Sequence, residues 1–114
     1  MTNASAPSGP SLPTPVERAL YCANGGDTDG FLAAFADDGA VNDWGREFRG
    51  HQAIRGWSDG EFIGKQVTLE VTGARTEGAT TTVSTQVGGN GYNGPSSFAF
   101  TTDKNLITLM RITG

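Results

Sequence analysis

Apolar residues recur three and four positions apart in the first half of the chain and two apart in the second. Val16, Ala19, Leu20 and Ala23 share one helical face. Ahead of them Thr14-Pro15-Val16-Glu17 is a capping-box sequence with proline at the first helical position. Gly25-Gly26 stops that helix. Asp27 is placed to cap a second, with Phe31, Leu32, Ala34 and Phe35 as its apolar stripe and Gly39 as its terminator. Ala40 to Trp44 reads as a short strand, and a turn and Phe48 lead to Gly50. The segment HQAIRGWSDGEF then reads as a third helix that carries Ile54 and Trp57 inward.

After Lys65 the period changes. Gln66 to Thr72 alternates strictly, with Val67, Leu69 and Val71 on one face. Ala79 to Val87 is threonine-rich, and its Val83 and Val87 share a face. The run GGNGYNGP is a turn-rich connector, followed by a strand marked by Phe98 and Phe100. Asp103-Lys104-Asn105 turns the chain into a last strand, Leu106 to Ile112, whose apolar residues have both parities. A strand apolar on two faces is central in its sheet or covered outside by a second subunit. Three helices followed by antiparallel hairpins describe an α+β fold.

With 114 residues, one domain is the natural count. The first 13 residues, MTNASAPSGPSLP, carry no charge and little apolar area to bury. They are expected to be a disordered tail, with the domain spanning 14–114. A net charge of -4, with no block of arginines, argues against nucleic acid as a partner. One Cys and one His exclude an intrachain disulfide and a Cys/His zinc site. No apolar run approaches the ~20 residues that span a bilayer. No basic region followed by an apolar run opens the chain, so it is expected to be soluble and cytoplasmic, without a membrane partner.

The order of elements meets a residue pattern. Asn24-Gly25-Gly26-Asp27, Phe35-Ala36-Asp37-Asp38-Gly39, Val41-Asn42-Asp43, Phe48-Arg49-Gly50 and Ala53-Ile54-Arg55 follow one another at near-family spacing. Together they resemble the nuclear-transport-factor-2-like superfamily, most closely its SnoaL-like and ketosteroid-isomerase-like branch. The resemblance runs from about Val16 to Ile112. It implies a cone: a strongly curved, mixed or antiparallel sheet packed on three N-terminal helices, with an apolar cavity between them. It also implies a homodimer, which the two-faced last strand suggests independently.

In ketosteroid isomerases a carboxylate base lies on the strand after the second helix, and the resemblance carries that position to Asp43. Two hydroxyl donors, a Tyr on the first helix and an acid on a late strand, complete their site. Those positions fall here on Ala19 and Ser96, so both donors are missing. Tyr21 lies about 200° round the helix from Ala19 and cannot substitute. The Asp/Arg/Asp arrangement of the limonene epoxide hydrolase relatives is not evident along the chain either.

Asp43 also has an argument of its own. Its parity matches Val41, so its carboxylate projects toward the apolar side, where desolvation tunes a carboxyl for acid–base work. The alternative is a strand-end cap before Gly45. The expected cavity lining is Val16, Leu20, Phe35, Trp57 and Phe98, with Trp44 outside by opposite parity. His51 and the pair Asp59 and Glu61 read as solvated, and Cys22 as a buried, inert thiol. Adjacent Asp37 and Asp38 diverge and make no metal site. The GGNGYNG segment, which lacks a strand-to-helix setting, reads as a hairpin connector; the alternative is a loop at the cavity mouth with Tyr92 and Asn93 available to a ligand. The function expected is isomerisation, cyclisation or dehydration of a small hydrophobic, polyketide- or steroid-like molecule, without cofactor or metal. The alternative is a non-catalytic module of the same fold, for ligand binding or dimerisation.

Overall fold

The computed structural model describes residues 12–114. The expected tail therefore lies outside the described residues except for Leu12 and Pro13, and Leu12 already packs against the core. Three helices, α1 (Thr14–Asn24), α2 (Thr28–Ala33) and α3 (His51–Glu61), accompany six strands. The strands are β1 (Phe35–Asp43), β2 (Arg46–Arg49), β3 (Thr68–Glu77), β4 (Thr80–Gly88), β5 (Gly94–Asp103) and β6 (Leu106–Thr113). They form one mixed sheet in the order β2-β1-β6-β5-β4-β3. Only the β1–β6 pairing is parallel. This is the expected α+β architecture, with one apolar sheet face turned to the helices.

The helices start and stop for local reasons. Pro13 occupies the cap position of α1, and its carbonyl accepts from Glu17 N at 3.0 Å. Thr14 makes no side-chain cap, so the expected capping box does not form. Asp27 does cap α2, accepting from Gly30 N at 2.9 Å. That helix ends at Ala33 rather than running to Gly39. Tertiary pairing overrides the helical stripe: Ile107 N donates to Ala34 O at 2.9 Å, and Phe35 pairs with Ile107. Phe31, Leu32, Ala34 and Phe35 are buried all the same.

Three irregularities interrupt the ladders. They lie between Phe35 and Ala40 in β1, Val71 and Gly73 in β3, and Thr101 and Thr102 in β5. Such bulges bend a strand and raise its local twist. They also explain two departures from simple alternation. Val71, expected inside with Leu69, stands at the bulge and is 36% exposed. In β6 the offset against β5 falls between Ile107 and Leu109, so Ile107 and Met110 both point inward despite opposite parity. The two-faced pattern is thus an inward-facing strand with a shifted phase, placed centrally between β1 and β5.

At the far edge, Asn24 closes β3. Its amide donates to Leu69 O at 3.0 Å and its carbonyl accepts from Leu69 N at 2.6 Å, as a neighbouring strand would. The strand expected at Ala40–Trp44 is the end of β1, and the segment after its turn, not expected as a strand, pairs back on it as β2. Trp44 and Gly45, both at positive φ, form the tight turn of this hairpin, and Asn42 Oδ1 accepts from Gly45 N at 2.8 Å.

Gly39, expected to end a helix, permits a close backbone approach. A Cβ there would lie 2.8 Å from Ile107 O and 3.1 Å from Ala36 O. Gly39→Ala should therefore destabilise the fold by about 1–3 kcal/mol, because both neighbours are backbone atoms that cannot swing away. Urea denaturation checks this, and an unchanged midpoint would contradict it.

Candidate functional site

A cavity of about 400 Å³ opens between α3, the β1–β2 hairpin and the inner faces of β4, β5 and β6. Its walls are mainly apolar, with Trp57, Phe62, Val67, Val87, Phe98 and Ile112 among them. Trp57 is held by its neighbours, stacked on Phe62 at 4.8 Å between ring centroids and tilted against Phe48 at 6.2 Å. Asp43, Arg46, Glu61 and Lys65 add charge to this lining, and Trp44 and Tyr92 stand exposed beside them.

Asp43 reaches the cavity from the last residue of β1. Its side chain is 16% exposed. The environment is not the bare apolar wall expected from parity. Oδ2 accepts from Arg46 Nη2 at 2.6 Å and from Trp57 Nε1 at 3.1 Å. Oδ1 has no hydrogen-bond partner among the described residues. The hairpin explains the ion pair, because Asp43 and Arg46 are cross-strand partners flanking its two-residue turn. Helix spacing explains the rest: Trp57 and Glu61 are four apart on α3 and present one face to that hairpin.

Arg46 is shared. Besides Asp43 it binds Glu61 in two places, Nη2 to Oε1 at 2.7 Å and Nη1 to Oε2 at 3.1 Å, and it lies over the Phe48 ring at 5.5 Å. Glu61 is exposed, as expected, and it also completes a carboxylate–guanidinium–carboxylate string that sequence order concealed. Hydrogen bonds donated to Glu61 and then to Asp43 hold the Arg46 guanidinium even more firmly protonated than usual. The Arg46 hydrogen bond in turn pulls the Glu61 carboxyl below its ordinary 4.5.

The other expected site residues divide. Trp57 and Phe98 line the cavity. Val16, Leu20 and Phe35 do not; they are core residues under the helices, because α1 and α2 pack against the sheet and against each other there. Trp44, placed outside by parity, is at the cavity: strand alternation stops at Asp43, and the turn at φ 53° swings the indole round. Tyr92 joins the lining, with its hydroxyl donating to Pro95 O at 2.8 Å. Asn93 is spent on the loop itself, donating to Gly89 O and Gly91 O.

Two reactive residues lie elsewhere. His51, half-buried rather than solvated, has Nε2 3.0 Å from Phe35 O, where an N–H donates to the carbonyl. Cys22 is buried with Asp27 nearby, and burial pushes its thiol up and away from reactivity. No group of three His, Cys, Asp or Glu among the described residues is arranged to hold a metal ion. No helix among them is long and apolar enough to cross a membrane.

No family model and no curated protein matches the sequence. Solved structures do match. A proposed polyketide cyclase from Sinorhizobium meliloti superposes with a TM-score of 0.79 at 24% identity, over 90% of this chain and 95% of that one. An NTF2-like protein of unknown function from Cytophaga hutchinsonii gives 0.77 at 12% identity, over 94% and 93%. The chain has the NTF2-like fold. The Δ5-3-ketosteroid isomerase of a Mycobacterium species shares it, with a TM-score of 0.74 at 19% identity, over 89% and 90%. Within this fold the two positions expected to lack donors differ from each other. Ala19 is buried in the core. Ser96 does line the cavity, but its hydroxyl donates to Thr113 O at 2.7 Å.

The lowered Glu61 carboxyl sets the acid behaviour of the hairpin–helix contact. The folded chain holds that proton less tightly than the unfolded chain does. Stability from the pair is therefore present above the ordinary 4.5 and is lost as pH falls through the lower folded value. Glu61→Gln should flatten the loss of stability as pH falls below 4.5. Urea midpoints measured across that range check it, and parallel acid limbs in the two proteins would contradict it.

Proposed function

We propose that the chain takes a small, largely apolar, cyclic molecule into this cavity and uses Asp43 as the proton-transferring group. The supporting observation is the division of labour on one carboxylate. Oδ2 is engaged by Arg46 and Trp57, while Oδ1 has no partner among the described residues, and Asp43 lines a cavity of about 400 Å³. An ionised carboxylate held in this way accepts a proton from a substrate carbon or oxygen at Oδ1 and returns it elsewhere on the ring system. In isomerisation the proton goes to another ring carbon, in an aldol-type cyclisation to the alkoxide formed as the new C–C bond closes, and in dehydration to the departing hydroxyl, which leaves as water. The cavity lies within the size range of small-molecule sites, and apolar walls with a few polar groups are their usual make-up. Polyketide cyclase and ketosteroid isomerase chemistry among proteins of like fold supports the same class.

A second reading has its own support. Ala19 has no hydroxyl, and the Ser96 hydroxyl is already donating to Thr113, so neither offers a proton to a developing oxyanion. A module that binds the same kind of molecule without transforming it is consistent with that.

One experiment separates the readings. Trp44 and Trp57 both line the cavity, so entry of a bicyclic ketone such as 2-tetralone should quench tryptophan emission. In D2O the protein should also speed deuterium uptake at the ketone's α-carbon. Asp43→Asn should bind within about threefold of wild type and lose the acceleration, about 10²-fold or more if the general base is doing the work. Binding without acceleration in wild type favours the non-catalytic module, and absence of quenching rejects both readings.

The reading carries a homodimer as well, through the outer face of the sheet. There Ala99, Thr101 and Leu109 lie half-buried, with Thr101 and Leu109 opposite one another in the β5–β6 ladder. Sedimentation at micromolar concentration should give the mass of two chains, and a monomer alone would reject the dimer.

A further inference from the structure

We infer that Lys65 makes the cavity selective for apolar molecules bearing one anionic group, above all a carboxylate. The inference rests on the cavity being a ligand site, as proposed above, and adds the ligand's charge. Two cations and two carboxylates line the cavity. Arg46 is bound to both carboxylates, so its charge is already offset. Lys65 makes no ion pair and no side-chain hydrogen bond among the described residues. Its ammonium is therefore the cation of the lining whose charge no carboxylate offsets among the described residues.

The residue is also firmly mounted. It ends the 3-10 turn Ile63–Lys65, which Gln66 terminates in the left-handed region at φ 56°. Its carbonyl accepts from Asn90 N at 2.8 Å, tying it to the β4–β5 loop. The base of its side chain passes over Gly91, where a Cβ would lie 3.5 Å from both Lys65 Cβ and Cγ. Lys65 is an exposed residue of the lining, so its ammonium is open to solvent and to a ligand alike.

The size of the effect is bounded by the neighbours. The four formal charges of the lining balance, and Asp43 and Glu61 oppose an incoming anion, though Arg46 lies between them and Glu61 is half-exposed to solvent. An ion pair at such a margin is worth about fivefold in affinity.

The test compares 2-naphthoate with 2-naphthamide, which have the same shape and differ in charge, by tryptophan quenching of the intact chain. Wild type should bind 2-naphthoate about fivefold more tightly, with the preference fading as salt rises. Lys65→Met should remove the preference and leave 2-naphthamide unchanged, and Lys65→Arg should keep it. Equal binding of the two probes to wild type, or a preference that survives Lys65→Met, would overturn the inference while leaving the cavity intact. Failure of both probes to bind wild type would instead reject the cavity as a ligand site, and the inference with it.

Discussion

The parallel pairing of β1 with β6 is the contact on which the rest of the molecule depends. It sets Val41 beside Met110 and Asp43 beside Ile112, joining the helical half of the chain to its final strand. A parallel pair needs a long connection, and here almost the whole remaining chain supplies it. Because β6 is central, that one junction carries the hairpin and α3 on one side and the three antiparallel strands on the other. Gly39 allows the close approach at its start, and the irregularity between Phe35 and Ala40 lets β1 enter the sheet straight from α2. The cavity is a consequence: the end of β1 delivers Asp43 to a wall whose other members come from β4, β5 and β6.

A charge at that position has to be reconciled with the apolar packing around it. A partly buried carboxylate left alone is costly, and its cost falls when charge-assisted donors meet it. Arg46 and Trp57 do this on one oxygen, and Glu61 anchors the guanidinium from the helix side. The same contacts tie the β1–β2 hairpin to α3, so the groups that position Asp43 also close one wall of the cavity. Orienting a carboxylate by fixing one of its oxygens leaves the other with a defined direction, which proton transfer requires. The aromatic stack of Trp57 on Phe62 keeps the indole N–H where that arrangement needs it.

Most elements were legible because each is written in a local pattern. The α1 stripe, the Asp27 cap, the inward Ile54 and Trp57, and the alternation through Val83, Val87, Phe98 and Phe100 all appear where periodicity puts them. Misreadings fall where a distant partner decides. Phe35 and Ala34 suit a helix face, but Ile107 claims them for the sheet. The β1–β2 hairpin was hidden because Trp44-Gly45 is not the Asn-Gly or Asp-Gly sequence usual for such a turn. Val16 and Leu20 were rightly apolar, yet apolar residues that line a cavity and those that fill a core look alike in sequence.

Along the chain, then, periodicity, caps and turn residues determined the α+β class, the element order and an acid on the inner face of an early strand. Those features depend on neighbours one to four residues away, whose spacing any reader of the sequence can count. The tertiary structure alone decided that Asp43 meets Arg46 and Trp57 and shares Arg46 with Glu61, that Trp44 turns to the cavity, and that Lys65 has no partner there among the described residues. These are relations between segments brought together by sheet order and bulges. A single bulge changes which side chains face one another without changing the local pattern by which a strand is recognised.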